Sequence, residues 1–404
     1  MRKRRVTDTY AVVGAGPLGS CTARTLAEAL DAAGTGAAIH LIDANNPIRG
    51  DFSGLRAAGP HAAGQLMLHV FEEGSAAKAL TRRSHDRMRS LAASGIISLH
   101  ERPWICCAGN EPTTLDETTR EVLSRAYEEG RFAGCELMRG SELPEVAGLR
   151  RGAISWALVD ASTLAVNPPK FTAQLAAHAV AHPLVSAHFN TQVLSVNGQT
   201  LQLKCREQSR EITFDGIVVC TGIHRGLFGE LLPDSRPEYL HVVDHASAEH
   251  IPEIKHLITG ETTIARYAGF GSERTAITPH LPEAVQAHGV HGLFTDVPGL
   301  RRMLDSHFSD DEEAQRETDV VHASLRATIG RYIDDRYLLG APSSNRKTTA
   351  RYVAAYQKLL GTDGPLVLPL AGACRAVYVQ PSNGLGLNQC AALGEDAAAL
   401  LLQL

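Results

Sequence analysis

Tyr10-Ala11-Val12-Val13-Gly14-Ala15-Gly16-Pro17-Leu18-Gly19 is the stretch from which the fold can be read. The short apolar run Tyr10 to Val13 suits a parallel strand covered on both faces. Three glycines at the spacing G-x-G-x-x-G follow at once. Ser20 to Ala33 then sets Ala23, Leu26, Ala27 and Leu30 at helical intervals, and Gly34-Thr35-Gly36 ends that helix. Ala38-Ile39-His40-Leu41-Ile42 makes a second strand, which closes on Asp43.

Strand, glycine turn, helix, strand and acid in this order open a Rossmann-type unit. Each glycine has its own task. Gly14 permits the tight turn, Gly16 lets the backbone approach a pyrophosphate, and Gly19 lets the helix lie close to the sheet. Pro17 and Leu18 lead into the helix, whose free N–H groups and positive dipole end face a diphosphate. Asp43, followed by Ala44, is placed to accept hydrogen bonds from ribose hydroxyls and disfavours a 2′-phosphate. The stretch predicts a bound dinucleotide. A glycine-rich turn that served packing alone would leave Asp43 without a role.

The bulk composition agrees with an α/β globular protein. Of 404 residues, 44% are hydrophobic and 21% charged, while aromatics make up only 5%. That length accommodates two or three domain-sized units, or one Rossmann-type domain with a large insertion. A net charge of −5 argues against a nucleic-acid-binding surface. Arg2-Lys3-Arg4-Arg5 reads as a solubilising start ahead of the first strand. No run of about 18 apolar residues predicts a membrane span. The eight cysteines contain no CxxC pair, and the 18 histidines show no HExxH spacing. These observations predict a cytoplasmic protein with reduced thiols, no metal and a small-molecule substrate.

Farther along, helices are expected over 74–94 and 162–181, with Pro168 and Pro169 in the first turn of the second. Short strands are expected at 96–99, 104–107, 186–189, 192–196, 201–206 and 211–214, and again at 262–267. Rossmann-type elements return near the end, where Leu366 to Gly372 precedes a terminal helix. The predicted fold class is therefore α/β: a Rossmann-type dinucleotide-binding domain interrupted by a second, substrate domain on a mixed or antiparallel sheet. The dinucleotide-binding domain is assigned residues 1–95, 150–225 and 340–404, and the substrate domain 96–149 and 226–339.

Two distant segments favour a flavin over a nicotinamide nucleotide. Phe214 to Gly222 reads as a buried strand ending at Thr221-Gly222, of the kind that flavoproteins bring back beside the nucleotide. Asn383-Gly384-Leu385-Gly386-Leu387-Asn388 precedes the last helix. Small residues at that helix N-terminus place N–H groups against a flavin edge that gains negative charge on reduction.

With these segments in hand, the chain resembles the FAD-dependent oxidoreductases typified by D-amino-acid oxidase, glycine oxidase and sarcosine oxidase. The resemblance is specific over the first 45 residues and looser over most of the rest. It extends to the loop Gly50 to Gly59, the helix Ala76 to Leu91, Gly152 to Leu175, Asn190 to Val193, and Gly384 to Gly394. It implies FAD as cofactor, with Ser53 and Arg56 at the flavin and its phosphates and Val193 by the adenine. It also implies oxidation of a carbon–nitrogen bond by hydride transfer to flavin N5, with oxygen as the usual oxidant. The sequence departs from the family in having Asp43 where glutamate is commoner and in lacking a Gly-His-Gly turn. The tail from Ala371 to Asn388 also resembles that of FAD-dependent aromatic hydroxylases, so a monooxygenase using NAD(P)H is the rival reading. A third is a nucleotide-binding scaffold subunit without a substrate site.

A substrate carboxylate calls for an arginine, often beside a tyrosine. Arg56, Arg336 with Tyr337, and Arg375 with Tyr378 are the candidates. His61 is a candidate to stand over the flavin, Lys255 to promote reaction with oxygen, and Cys374 to attach the flavin covalently.

Overall fold

A computed structural model describes residues 8–50, 58–62, 64–69, 73–110, 134–143, 149–222, 364–370, 375–382 and 385–404. It also describes 71, 121, 124–125, 127–128, 145 and 331–332, and the backbone of strands 235–245, 253–258, 263–269, 275–280 and 350–359.

The chain begins with β1 (Thr9–Val13), α1 (Pro17–Ala32), β2 (Ala38–Ile42), α2 (Ala58–His61), β3 (Gln65–Leu66) and α3 (Ala76–Ala93). Then come β4 (His100–Glu101), β5 (Trp104–Gly109), β6 (Glu136–Arg139), β7 (Ile154–Asp160), β8 (Leu164–Ala165) and α4 (Pro168–Val180). β9 (Val185–His188), β10 (Thr191–Asn197), β11 (Thr200–Cys205), β12 (Gln208–Thr213) and β13 (Gly216–Val219) follow. The remainder is β14 (Ser235–His245), β15 (Glu253–Ile258), β16 (Thr263–Gly269), β17 (Thr275–His280), β18 (Ala350–Leu359), β19 (Leu366–Pro369), β20 (Ala376–Gln380) and α5 (Gly386–Gln403).

Six strands form the nucleotide-binding sheet in the order β19-β20-β13-β1-β2-β9. β1 pairs in parallel with both β13 and β2, and only β19 runs against its neighbour. The alternation within β1 explains the two layers that cover this sheet. Tyr10 and Val12 join Leu26, Ala27, Ala397 and Leu401 in one buried cluster, which seats α1 and α5. Ala11 and Val13 join Leu201, Leu203 and Phe214 in another, which seats the small antiparallel sheet β10-β11-β12.

The other large sheet is mixed, in the order β18-β14-β17-β16-β15-β5-β7-β6. β15 lies parallel to β5, while the other pairs are antiparallel. Two of its strands, β7 and β18, come from stretches that the sequence assigned to the nucleotide domain. A second small sheet has the order β3-β8-β4.

Two expected elements differ. The strand expected at 96–99 is absent because Gly95, at φ +70°, turns the chain out of α3. Ile96 N–H reaches back to Leu91 C=O at 2.9 Å and Gly95 N–H to Ala92 C=O at 2.9 Å, the doubly bonded helix stop that favours glycine. The helix expected from Ser162 starts at Pro168 instead. Leu164 and Ala165 are spent on pairing with β3 and β4, and the Asn167 side chain caps the helix by accepting from Lys170 N–H at 3.3 Å.

Candidate functional site

At the carboxyl ends of β1, β2 and β13 the three glycines behave as three different objects. Gly14 has φ +99°, and a Cβ there would stand 2.5 Å from the Cys220 carbonyl oxygen. A Cβ on Gly19 would collide with the Gly14 carbonyl. Gly16 is the opposite case, since a Cβ on it would meet nothing among the described residues within 4 Å. Gly14 and Gly19 are thus required by the protein's own packing, and Gly16 borders open space. Gly16 is also the N-cap of α1, where no side chain accepts from the first turn and no acidic residue stands. Pro17 and Gly19 are buried and Leu18 is half-buried behind this uncapped end.

Asp43 is tied to the same turn. Its Oδ2 accepts from Ala15 N–H at 2.7 Å and its Oδ1 from Asn45 N–H at 2.8 Å. Asn45 Nδ2 also donates to Oδ1 at 3.5 Å, while Oδ2 keeps a second lone pair, so the carboxylate is oriented without being exhausted. Ala44 beside it is exposed. Val193 sits in the cluster with Val13 and Ile42, below the same strand ends. Thr221 follows β13, its Cα 3.6 Å from the place a Gly14 Cβ would take, and Gly222 has φ +57°. An open cradle at an uncapped helix end, flanked by a fixed carboxylate, fits the ADP half of a dinucleotide.

The second half of the site forms around the start of α5. Leu385 is its N-cap, again with no capping side chain, and Gly386 and Leu387 begin the helix. Asn388 Oδ1 accepts from Met67 N–H at 2.6 Å, and Asn388 Nδ2 donates to Gln65 C=O at 3.2 Å. His85 Nε2 of α3 lies 3.1 Å from the same Oδ1. Gln389 fixes the approach to the helix: its Oε1 accepts from Ser382 N–H at 2.8 Å, and its Nε2 donates to Ser382 Oγ at 2.9 Å and Thr81 Oγ1 at 3.2 Å.

Two residues beyond Met67, His69 Nδ1 is 2.6 Å from Asp160 Oδ2 at the end of β7, with both side chains buried. Asp160 also accepts from Ser162 N–H at 2.8 Å, Ser162 Oγ at 2.6 Å and Thr163 Oγ1 at 3.0 Å. Burial alone would push this carboxyl up, but hydrogen bonds from His69 and Ser162 outweigh it and hold the group down at about 2. The Trp104 ring lies 4.1 Å from the His69 ring, centroid to centroid. Cys135 completes the group, its sulfur within 4.8 Å of the facing His69 and Asp160 atoms. Burial, helped by the Asp160 charge, pushes its thiol up to about 12. Met67, Trp104, Cys106, Cys135 and Leu158 form one apolar cluster against which Leu385 packs. The start of α5 and two strands of the eight-stranded sheet therefore meet at this point.

Sequence reasoning passed over His69, Asp160, His85 and Asn388 as site residues. Their partners lie far away in sequence, so no local spacing marks them. Ser53, Arg56, Asn383, Gly384, Arg336, Tyr337 and Cys374 lie outside the described residues, as does the side chain of His61, which ends α2. Lys255 is on β15, opposite Cys106 in register. Tyr378 does not stand at a substrate-facing surface. It is fully buried in the core beside β13, and its hydroxyl donates to Gln380 Oε1 at 2.6 Å. Arg375 directly precedes β20, at the end of the sheet away from Gly14, with its guanidinium 6.0 Å from the Tyr10 ring. Ligands of such sheets bind beyond the other ends of the strands, so this pair is no carboxylate grip.

The fold and the glycine cradle define a Rossmann-type dinucleotide-binding protein with a second large sheet. Residues 9–400 match the FAD dependent oxidoreductase family, and the chain belongs to it. No curated protein matches the sequence. Among solved structures, the fold is similar to glycine oxidase from Geobacillus kaustophilus, with a TM-score of 0.68 and 17% identity over 98% of this chain and 95% of that one. It is also similar to L-proline dehydrogenase from P. horikoshii (TM-score 0.66, 14% identity, 98% and 94% covered). L-amino acid deaminase from Proteus myxofaciens, solved with anthranilate, gives a TM-score of 0.65 at 14% identity, with 100% and 92% covered. The protein is an FAD-dependent oxidoreductase. No helix among the described residues is long and apolar enough to cross a membrane.

Proposed function

We propose that the protein oxidises a carbon–nitrogen bond of a small amine or amino acid. The observation that carries this reading is the family match over residues 9–400. The three similar structures support it, because glycine oxidase, L-proline dehydrogenase and L-amino acid deaminase all bear the names of enzymes that act on amino acids. FAD, when bound, supplies the hydride acceptor at flavin N5, and oxygen is the expected final oxidant.

The chain's own residues would divide the work as follows. The Gly16 turn and the start of α1 hold the diphosphate, and Asp43 accepts from the ribose hydroxyls. Val193 and the Thr221-Gly222 backbone border the nucleotide, while Ser53, Arg56, Asn383 and Gly384 complete the flavin contacts with Leu385, Gly386 and Leu387. The six-stranded sheet serves the cofactor and the eight-stranded sheet the substrate. Arg336 with Tyr337, or Arg56, grips a substrate carboxylate, and His61 stands by the flavin. The apolar cluster of Met67, Trp104 and Leu158 keeps bulk water away from the junction between the sheets.

The test is anaerobic bleaching of the bound flavin across a panel of amino acids and amines, followed by admission of air. Bleaching by an amine, then recovery of colour with release of peroxide, is the expected result. Fast reduction by NADPH with no response to any amine would replace this reading with the monooxygenase one. No flavin reduction by either, together with a tightly bound second chain, would point to a scaffold subunit.

A further inference from the structure

Asn388 does something unusual for a residue in the first turn of a helix. Its carboxamide accepts from Met67 N–H at 2.6 Å and donates to Gln65 C=O at 3.2 Å. It therefore pairs with the edge of β3 as a neighbouring strand would. The two backbone groups decide which end of the amide is oxygen, since one is a donor and the other an acceptor. That assignment leaves Oδ1 facing His85 Nε2 at 3.1 Å, so this nitrogen carries the proton and donates. His85 and Asn388 are 0% and 2% exposed. His85 Nδ1 is buried with no partner among the described residues, which a neutral ring tolerates far better than a charged one.

Three segments meet at this amide. β3 continues the loop that runs on from Asp43, α5 continues the segment 383–387, and α3 supplies His85. The first two lead from the segments expected to contact the flavin. Gln389, next to Asn388, locks Ser382 just ahead of the second segment, so the helix start cannot shift independently of its approach.

We propose that Asn388, oriented by His85, is a positioning residue that sets the separation between β3 and the start of α5, and so fixes how the flavin ring is held. The proposal rests on the reading of this site as an FAD site. It makes no demand on the substrate, so flavin itself can report on it.

The test uses the full chain stripped of flavin and titrated with FAD, with the dissociation constant and the visible spectrum of the bound flavin as readouts. Wild type, Asn388→Ala and His85→Leu are compared. Asn388→Ala is expected to raise the FAD dissociation constant tenfold or more and to shift the flavin absorption bands. His85→Leu keeps both backbone bonds of Asn388 and is expected to shift them in the same direction by less. A folded Asn388→Ala protein whose affinity is within twofold of wild type and whose flavin spectrum is unchanged would overturn the proposal, even if it melted earlier. If Asn388→Ala does not fold, an unchanged spectrum and affinity in His85→Leu overturns it instead. Failure of wild type to bind FAD overturns the cofactor reading, and this proposal with it; normal wild-type binding beside unaffected variants overturns this proposal alone.

Discussion

Lowering the pH from 7.5 to 5 should cost the fold about 2 kcal/mol through His85 alone. This imidazole is 0% exposed, and burial above all pulls it from its ordinary 6.5 down to about 4. Its bond to Asn388 and the Asp86 and Asp160 charges oppose that pull, while Arg89 adds to it. An unfolded chain takes up the proton near 6.5, whereas the folded protein refuses it until about 4. Between those values the unfolded state binds more protons, so stability falls as the pH falls. At roughly 1.4 kcal/mol per unit, the full loss below pH 4 is about 3 kcal/mol, of which about 2 is incurred by pH 5. That is a large share of the roughly 5–15 kcal/mol by which domains are stable. His85→Gln retains an N–H donor for Asn388 and does not titrate. Urea unfolding of both proteins at pH 7.5 and pH 5 measures the difference directly. Burial also holds His40, His178 and His188 below their ordinary value, but they are present in both proteins and cancel. If His85→Gln loses as much stability as wild type over this interval, the reasoning is wrong.

The glycines of the first turn give a contrast that separates ligand contact from packing. Gly16→Ala meets nothing among the described residues within 4 Å, so flavin-free stability should fall only by the difference in N-cap preference, about 1 kcal/mol or less, while FAD affinity falls at least tenfold. Gly19→Ala drives its Cβ into the Gly14 carbonyl, so it should lower the melting temperature as well, at a cost of about 1–3 kcal/mol. Calorimetry and FAD titration of the two variants check both. Asp160→Asn removes the carboxylate that accepts from His69, Ser162 and Thr163 and should destabilise the protein at pH 7 by about 2 kcal/mol, at roughly 1.4 kcal/mol per unit of the depression from 3.8 to about 2. The wild-type carboxyl is held at about 2 instead of 3.8, so its contribution is whole above about 4 and is lost as pH falls toward 2. Acid unfolding curves should therefore be flatter over that interval in the variant.

The nucleotide half of the fold was legible because its signals are local. Strand, turn, helix and acid follow one another within residues 9–43, and each restricts the next. β3, β4 and β8 were not legible, since a two-residue strand has no periodicity and exists only through its partners. The helix at 168–180 is expected too long because Leu164 and Val166 continue its apolar spacing: both precede the helix but join the same buried cluster as its Phe171 and Leu175. The polar side of the site was hidden for a related reason. His69 and Asp160 are 91 positions apart and His85 and Asn388 are 303 apart, so neither pair leaves a trace in any short window. Tyr378 misled by its chemistry: a tyrosine near an arginine suggests a carboxylate, and only the sheet register shows that it faces the core.

The packing of α5 on α1 also sets an order in time. Gly394 lies so close to α1 that a Cβ there would stand 2.8 Å from Thr22 N, and Ala397, Ala398 and Leu401 close the same cluster as Leu26 and Ala27. Elements from opposite ends of the sequence therefore complete one layer. During synthesis the glycine turn is made early and stays half-covered until residues 386–403 have left the ribosome. Contacts this distant in sequence form slowly, and the exposed face of α1 is meanwhile open to wrong partners. A nascent chain halted before residue 386 should be held by chaperones and retain no flavin, whatever the state of its second sheet.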